Sequence, residues 1–368
     1  MMRLADQMAL KRYKGPGFDR IRVIAALIVL VHHCTAYITP NIAQDVLFSF
    51  SRGTIQFGLL AVSIFFSVSG FLVTPGLSYR GDITAFAVHR LLRIMPALVV
   101  NVIITVLVVG PLLTTLPLKE YYLDQQTYRY LNNLVFRTTT MLPGVQLDDG
   151  TSPTINGPLW TLYFEALSYI TLVALFILGI LTNRKACIGI LLAVYIANII
   201  FWLQPDIEKL GFERIAVFTS LFVYFFTGVT LSIFSKEIPY DYRIASLLLI
   251  MTAVALPLGL GILFLPISVS YIAVYVGYSD ILGKRPFKTD YSYGIYLNHA
   301  LVITVLMVLL PTFTNFLAVL TVVTVSAFVI AALSWRFIES PSLHLKTRIS
   351  EIARRQLSYF LVKRNSVS

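Results

Sequence analysis

The chain is a succession of apolar blocks, most of them near 20 residues long, cut by short polar connections. Blocks of that length fit a hydrocarbon layer of about 30 Å crossed at about 1.5 Å per residue. The pattern predicts ten spans, over 21–39, 55–76, 94–117, 158–181, 187–203, 215–234, 244–256, 262–278, 292–310 and 316–338. Only residues 257–261, PLGLG, separate the seventh from the eighth, and their Pro and Gly residues supply the break. The expected fold class is therefore all-α, a polytopic integral membrane protein of about ten helices. The longest connection, 118–157, is polar and contains Pro143–Gly144, Asp148–Asp149–Gly150 and Asn156–Gly157–Pro158. Loops of this length are often functional.

Composition supports the membrane reading. The 368 residues are 57% hydrophobic and only 13% charged, too few charges to cover a soluble protein of this size. The mean hydropathy is +0.79. A net charge of +11 would hint at nucleic acid in a soluble chain, but here the positive-inside rule accounts for it. With the N-terminus in the cytoplasm, 22 Lys and Arg residues lie on the cytoplasmic side. Six lie outside: Arg52, Lys119, Arg129, Arg137, Lys209 and Arg214. Both termini are expected to be cytoplasmic, with no nucleic-acid partner. The basic N-terminus reads as the lead into a first span, not as a cleaved leader. Cys34 and Cys187 offer no disulfide framework and no zinc spacing, and no metal is expected.

Ionisable groups inside the apolar blocks are the candidates for chemistry. In RVIAALIVLVHH, Arg22 and His33 stand eleven residues apart, three turns plus about 20°, so they share a helix face about 16 Å apart along the axis. That puts a cation at the mouth and an imidazole near the midplane. In HRLLRIMP, Arg90 and Arg93 share a face at the expected entry to the third span, where paired guanidinia suit phosphate. In NGPLWTLYFEALSY, Glu165 is expected about 10 Å into the fourth span from outside, at a depth similar to that of His33. Asn156, Trp160 and Tyr163 lie near the outer mouth as candidate substrate contacts, with the interfacial belt as the other use for the two aromatics. In DYSYGIYLNHA, His299 enters the ninth span about 10 Å deep. Each group alone also suits anchoring or packing. Together they form a cationic layer of Arg22, Arg90 and Arg93 and a central layer of His33, Glu165 and His299, expected to share one cavity. Such a site suits acyl transfer from coenzyme A, with an imidazole as general base on an acceptor hydroxyl and a carboxylate orienting it. A proton-coupled transporter or flippase with His33, Glu165 and His299 as a relay is the alternative.

The same segments, in the same order along nearly the whole chain, resemble the acyltransferase-3 family of integral membrane acyltransferases, which includes bacterial polysaccharide and Nod-factor O-acetyltransferases. FDRIRVIAALIVLVHH is similar to its opening motif, with ten residues between Arg22 and His33. VSIFFSVSGFLVT, HRLLRIMPAL, NGPLWTLYFEALSY, DYSYGIYLNHA and SWRFIESP resemble its later segments. The resemblance implies about ten helices, acetyl-CoA as a cytoplasmic acyl donor and a sugar hydroxyl as acceptor. On that basis the expected enzyme is a bacterial inner-membrane O-acyltransferase acting on a cell-surface or secreted glycan or its lipid-linked precursor. It implies His33 as catalytic base, Arg22 as its motif partner, and Arg90 and Arg93 in the coenzyme A site. His89 stands where the family often has a further basic residue. Residues 1–345 are expected to form the membrane acyltransferase domain and 346–368 a basic cytoplasmic tail. With no added hydrolase-like domain, the membrane domain is expected to modify the acceptor itself.

Overall fold

Among the described residues, ten apolar helices follow one another in the order that the hydropathy pattern predicts. A computed structural model describes residues 2–38, 45–78, 81–204, 209–287 and 289–365. The helices are α1 (Phe18–Ile38), α2 (Phe57–Ser78), α3 (Ile83–Leu113), α4 (Gly157–Ile177), α5 (Arg184–Leu203), α6 (Glu213–Ile233), α7 (Tyr242–Leu258), α8 (Gly261–Tyr278), α9 (Ser292–Leu309) and α10 (Phe316–His344). Nine of these are long and apolar enough to cross a membrane, and α7 is shorter. Among the described residues there is no strand, only the isolated bridges Arg3–Pro239 and Thr114–Val145. The protein is an all-α polytopic membrane protein. Residue 39, the expected end of the first span, and Arg80 and Lys288, two of the counted basic residues, lie outside the described residues.

The side where Arg22, Asp290 and the first half of α3 meet, with the helix Lys346–Asn365 against Asp82, is called here the termini face; the opposite side is the loop face. At the centre, α2 and α6 touch backbone to backbone. A Cβ on Gly70 would stand 2.0 Å from the Phe225 carbonyl oxygen, and one on Gly228 would stand 2.2 Å from that of Ser67. In lipid, where apolar side chains gain nothing by leaving a solvent that is already apolar, such close approach drives association. The Ser67 and Ser270 hydroxyls add a hydrogen bond of 2.9 Å between α2 and α8. Gly259, at φ 75°, turns the chain from α7 into α8.

The third span differs from its expected bounds. It starts at Ile83, not at 94, with Asp82 capping the Ala85 amide at 2.8 Å. Arg90 and Arg93 are thus inside the helix, and the burial of Arg93 is permitted by two carboxylate partners. Towards the loop face α3 passes through a π-helical turn at Thr105–Val109. Tyr121 and Tyr122, from the 114–156 connection, donate to the Val106 and Leu107 carbonyls there, at 2.9 and 3.2 Å. That connection is built of short helical turns and held by Asn133, which donates to the Tyr130 and Thr139 carbonyls and accepts from the Thr139 amide. After α10, the helix Lys346–Asn365 lies along the start of α3 and pairs Arg354 with Asp82 at 2.5 Å.

Candidate functional site

Two polar layers lie inside the bundle. The layer nearer the termini face is ionic. Asp290, just ahead of α9, meets Arg93 of α3 at 2.7 Å and Arg22 of α1 at 3.1 Å. Arg93 also reaches Glu339 at 3.1 Å, and Arg22 reaches Asp19 at 2.5 Å. Burial alone would raise the Asp290 carboxyl. The guanidinia of Arg22 and Arg93, with the Ser292 hydroxyl and amide donating to Oδ1, outweigh it and hold the group at about 2. Glu339 is 2% exposed. It is turned inward by a π-helical turn at Trp335–Glu339, and Ser334, five residues back, donates to it at 2.9 Å. Gly294 of α9 leaves room there, since a Cβ would meet the Ala331 Cα at 2.7 Å.

A cavity of about 110 Å³ opens beside this cluster, lined by Arg22, Arg90, Arg93, Glu165, Tyr169 and Tyr296 among others. Arg22 and Arg93 are committed to carboxylates, although Arg22 keeps a buried Nε–H without a partner. Arg90 has no ion-pair partner among the described residues and lies 5.8 Å from the Tyr169 ring centre. Tyr169 donates to Glu165 at 2.6 Å and shares a hydrogen bond of 2.7 Å with Ser69.

Nearer the loop face lies the imidazole layer. His33 Nδ1 stands 2.8 Å from His299 Nε2, and His299 Nδ1 stands 3.1 Å from the Ile295 carbonyl oxygen. A carbonyl only accepts, so His299 Nδ1 carries a proton. In the neutral pair His299 Nε2 is then the acceptor and His33 Nδ1 the donor. That leaves His33 Nε2 with a free lone pair, and it has no hydrogen-bond partner among the described residues. Beside the pair, Asn101 donates to Asn298 at 2.9 Å, and Asn156 donates to Asn101 and to the Leu297 carbonyl at 3.1 and 3.0 Å. His32 serves another end: it meets Asp45 at 3.2 Å, which caps the helix Val46–Phe50.

The expected pairing of Glu165 with His33 does not form. Nine residues of α4, roughly 14 Å, separate Glu165 from Asn156, and Asn156 is level with Leu297, beside His299. Glu165 therefore falls in the guanidinium layer. Asn156, expected at the acceptor mouth, is 0% exposed and bonded within the bundle. Its φ of 51° fits the left-handed turn into Gly157–Pro158 that Asn tolerates. The expected single cavity is also interrupted. Neither His33 nor His299 lines it. Tyr296 stands between the layers, bonded to Thr161 at 2.7 Å and packed edge-on against Phe65 at 5.7 Å, with its ring 6.0 Å from that of His299.

Residues 16–336 match the sequence profile of the acyltransferase-3 family, described as an acyltransferase domain. The chain belongs to this family. It is an acyltransferase, and a multi-pass membrane one. Among curated proteins it is similar to the O-acetyl transferase of Shigella phage Sf6, 29% identical over 77% of this chain and 84% of that one. It is also similar to Nodulation protein 10 of Rhizobium leguminosarum bv. viciae, 29% identical over 92% of this chain and 95% of that one. No solved structure matches. In this acyltransferase the sequence reading missed Asp290 and Glu339 as partners of the arginines, and Tyr296 as the divider. All three stand in segments already marked by their motifs, and two carboxylates at the ends of otherwise acid-free spans were the available signal.

Proposed function

We propose that this acyltransferase transfers an acetyl group from acetyl-CoA, bound from the cytoplasmic side, to a hydroxyl of a glycan or its lipid-linked precursor. The names of its relatives, an O-acetyl transferase and a nodulation protein, support the acyl group and the class of acceptor. The observation that carries the reading is the ordered chain from the Ile295 carbonyl through His299 to His33, which leaves one imidazole lone pair free in a layer that the Tyr296 ring divides from a guanidinium-lined cavity.

The termini face is taken as cytoplasmic from its excess of basic residues. The donor's phosphates lie against Arg90 and the unmet Nε–H of Arg22, while Asp290 and Glu339 hold Arg22 and Arg93 in place. The thioester arm passes Tyr296 to reach the imidazole layer. His33 Nε2 takes the proton of the acceptor hydroxyl as its oxygen attacks the thioester carbonyl. The C–S bond of the tetrahedral intermediate then breaks, and the imidazolium returns its proton to the departing thiolate. His299 is a positioning residue that fixes the tautomer of His33.

The test is acetyl transfer by purified protein in nanodiscs, with mass spectrometry of envelope glycans from cells with and without the gene. His33→Ala is expected to insert normally and bind acetyl-CoA but add no acetyl groups. Full transfer by that variant would remove the mechanism, and failure of the wild type to bind acetyl-CoA would remove the donor.

A further inference from the structure

Helix α4 has two working faces. Thr161, Glu165 and Tyr169 face the central cavity. Trp160, Tyr163 and Phe164 face the other way, into an open groove of about 1250 Å³ at the loop face. Trp160 and Tyr163 are 36% and 38% exposed there, each packed edge-on against Phe164 at 5.7 and 5.0 Å. Three arginines line the same groove: Arg129 and Arg137 from the long connection and Arg214 from the start of α6. All three are exposed, and none has an ion-pair partner among the described residues. Arg129 donates to Gln125 at 3.1 Å. One carboxylate, Glu213, also lines the groove, with Asn132 and Thr138 adding neutral polar groups.

This clustering is not what membrane anchoring produces. The span pattern assigns six Lys and Arg residues to the loop side, and anchors for lipid headgroups would be spread around the rim. Here three of the six converge on one groove, beside two exposed aromatic side chains and away from Arg52 and Lys119. Guanidinium forks bind carboxylates or phosphates bidentately. Indole and phenol rings offer flat apolar faces with a polar edge, which suit the C–H face of a sugar. A large, open groove with these groups fits a saccharide chain better than a small molecule.

We propose that this groove holds the acceptor, and that the acceptor is an anionic glycan bearing carboxylate or phosphate groups. The proposal rests on the acyltransferase reading, with the groove as a holding site separate from the reacting centre. Only the Gly157–Leu159 turn separates the groove's Trp160 from Asn156, which is bonded to Leu297 beside the imidazole layer. A polymer seated in the groove can therefore run over the end of α4 and present a neighbouring hydroxyl to His33.

The test is calorimetric binding to purified protein in phosphatidylcholine nanodiscs, using a hexamer of galacturonic acid and the neutral hexamer of maltose as probes. The wild type is expected to bind the acidic hexamer at least about tenfold more tightly, the worth of one charge-assisted hydrogen bond, with the preference falling as salt rises. The double variant R137Q/R214Q is expected to lose the preference. The double variant R52Q/K119Q, which removes two outer cations away from the groove, is expected to keep it. An absent preference, or an equal loss in both double variants, overturns the proposal. So does loss of binding when phosphatidylglycerol replaces phosphatidylcholine, since the groove would then be a headgroup site. His33→Ala separates the two readings: it is expected to bind the acidic hexamer as the wild type does and to transfer no acetyl. Binding without any transfer by the wild type would refute the enzyme mechanism and leave the groove assignment standing.

Discussion

Asp290 is the residue on which the ionic layer turns, because it bridges Arg22 and Arg93 and its hydroxyl and amide partner, Ser292, opens α9. Its carboxyl is held at about 2 in the fold, below the ordinary value of about 3.9. A depressed carboxylate contributes stability that is complete above the ordinary value and is lost as pH falls through the folded one. Asp290→Asn is therefore expected to lower stability by about 3 kcal/mol from neutral pH down to about 5, because it removes the carboxylate that Arg22 and Arg93 share and leaves each with one partner, Asp19 or Glu339. The gap to the wild type should close between about pH 4 and pH 2, read by thermal unfolding in detergent. His299 gives a second prediction. Replacing it with Phe keeps the ring volume but frees the tautomer of His33, so kcat should fall by about 10²-fold with acetyl-CoA binding unchanged, as measured by titration. The chemistry-bearing types at this scale were legible in the chain, since Arg22, Arg90, Arg93, His33 and His299 all break apolar runs. What held them was not. Glu339 and Ser334 are five residues apart, about 140° around an α-helix, and only the π-helical turn brings them together.

At the scale of elements, the contact between α2 and α6 sets the frame on which the two polar layers hang. Gly228→Val would drive a side chain into the Ser67 carbonyl, where the virtual Cβ already stands at 2.2 Å. Backbone cannot step aside as a side-chain tip can. The variant is expected to lose about 3 kcal/mol and to run as aggregate in fluorescence-detected gel filtration, whereas Gly189→Val, with no neighbour within 4 Å, should behave as the wild type. Helix order was legible because nine of the apolar blocks match the thickness of a bilayer, while α7 is shorter than a full crossing. The start of α3 was not, because hydropathy breaks at Arg90 and Arg93 while the helix does not. Depth failed for a related reason. Counting depth from the loop end of α4 supposes that all helices begin at one level, yet Asn156 is bonded to Leu297, which lies within the first half of α9 on the side of Asp290.

Across the whole molecule, donor and acceptor are proposed to arrive from opposite faces, and Tyr296 is what keeps those approaches apart. It bonds Thr161 of α4, packs on Phe65 of α2 and separates the guanidinium-lined cavity from the imidazole pair. A continuous channel would let water meet the thioester next to a free imidazole lone pair, and hydrolysis would compete with transfer. Tyr296→Ala removes the ring and the hydroxyl's bonds to Thr161 and the Pro158 carbonyl while leaving the arginines and His33 in place. It is expected to raise the release of coenzyme A in the absence of any glycan, followed by thiol titration in nanodiscs, and to lower the yield of acetylated glycan per donor consumed. Coupling this change to His33→Ala should abolish the added hydrolysis, because the base that activates water is the one that activates the acceptor. If Tyr296→Ala instead lost acetyl-CoA binding, the tyrosine would belong to the donor's own seat, and the division between the two layers would have to lie elsewhere along α9.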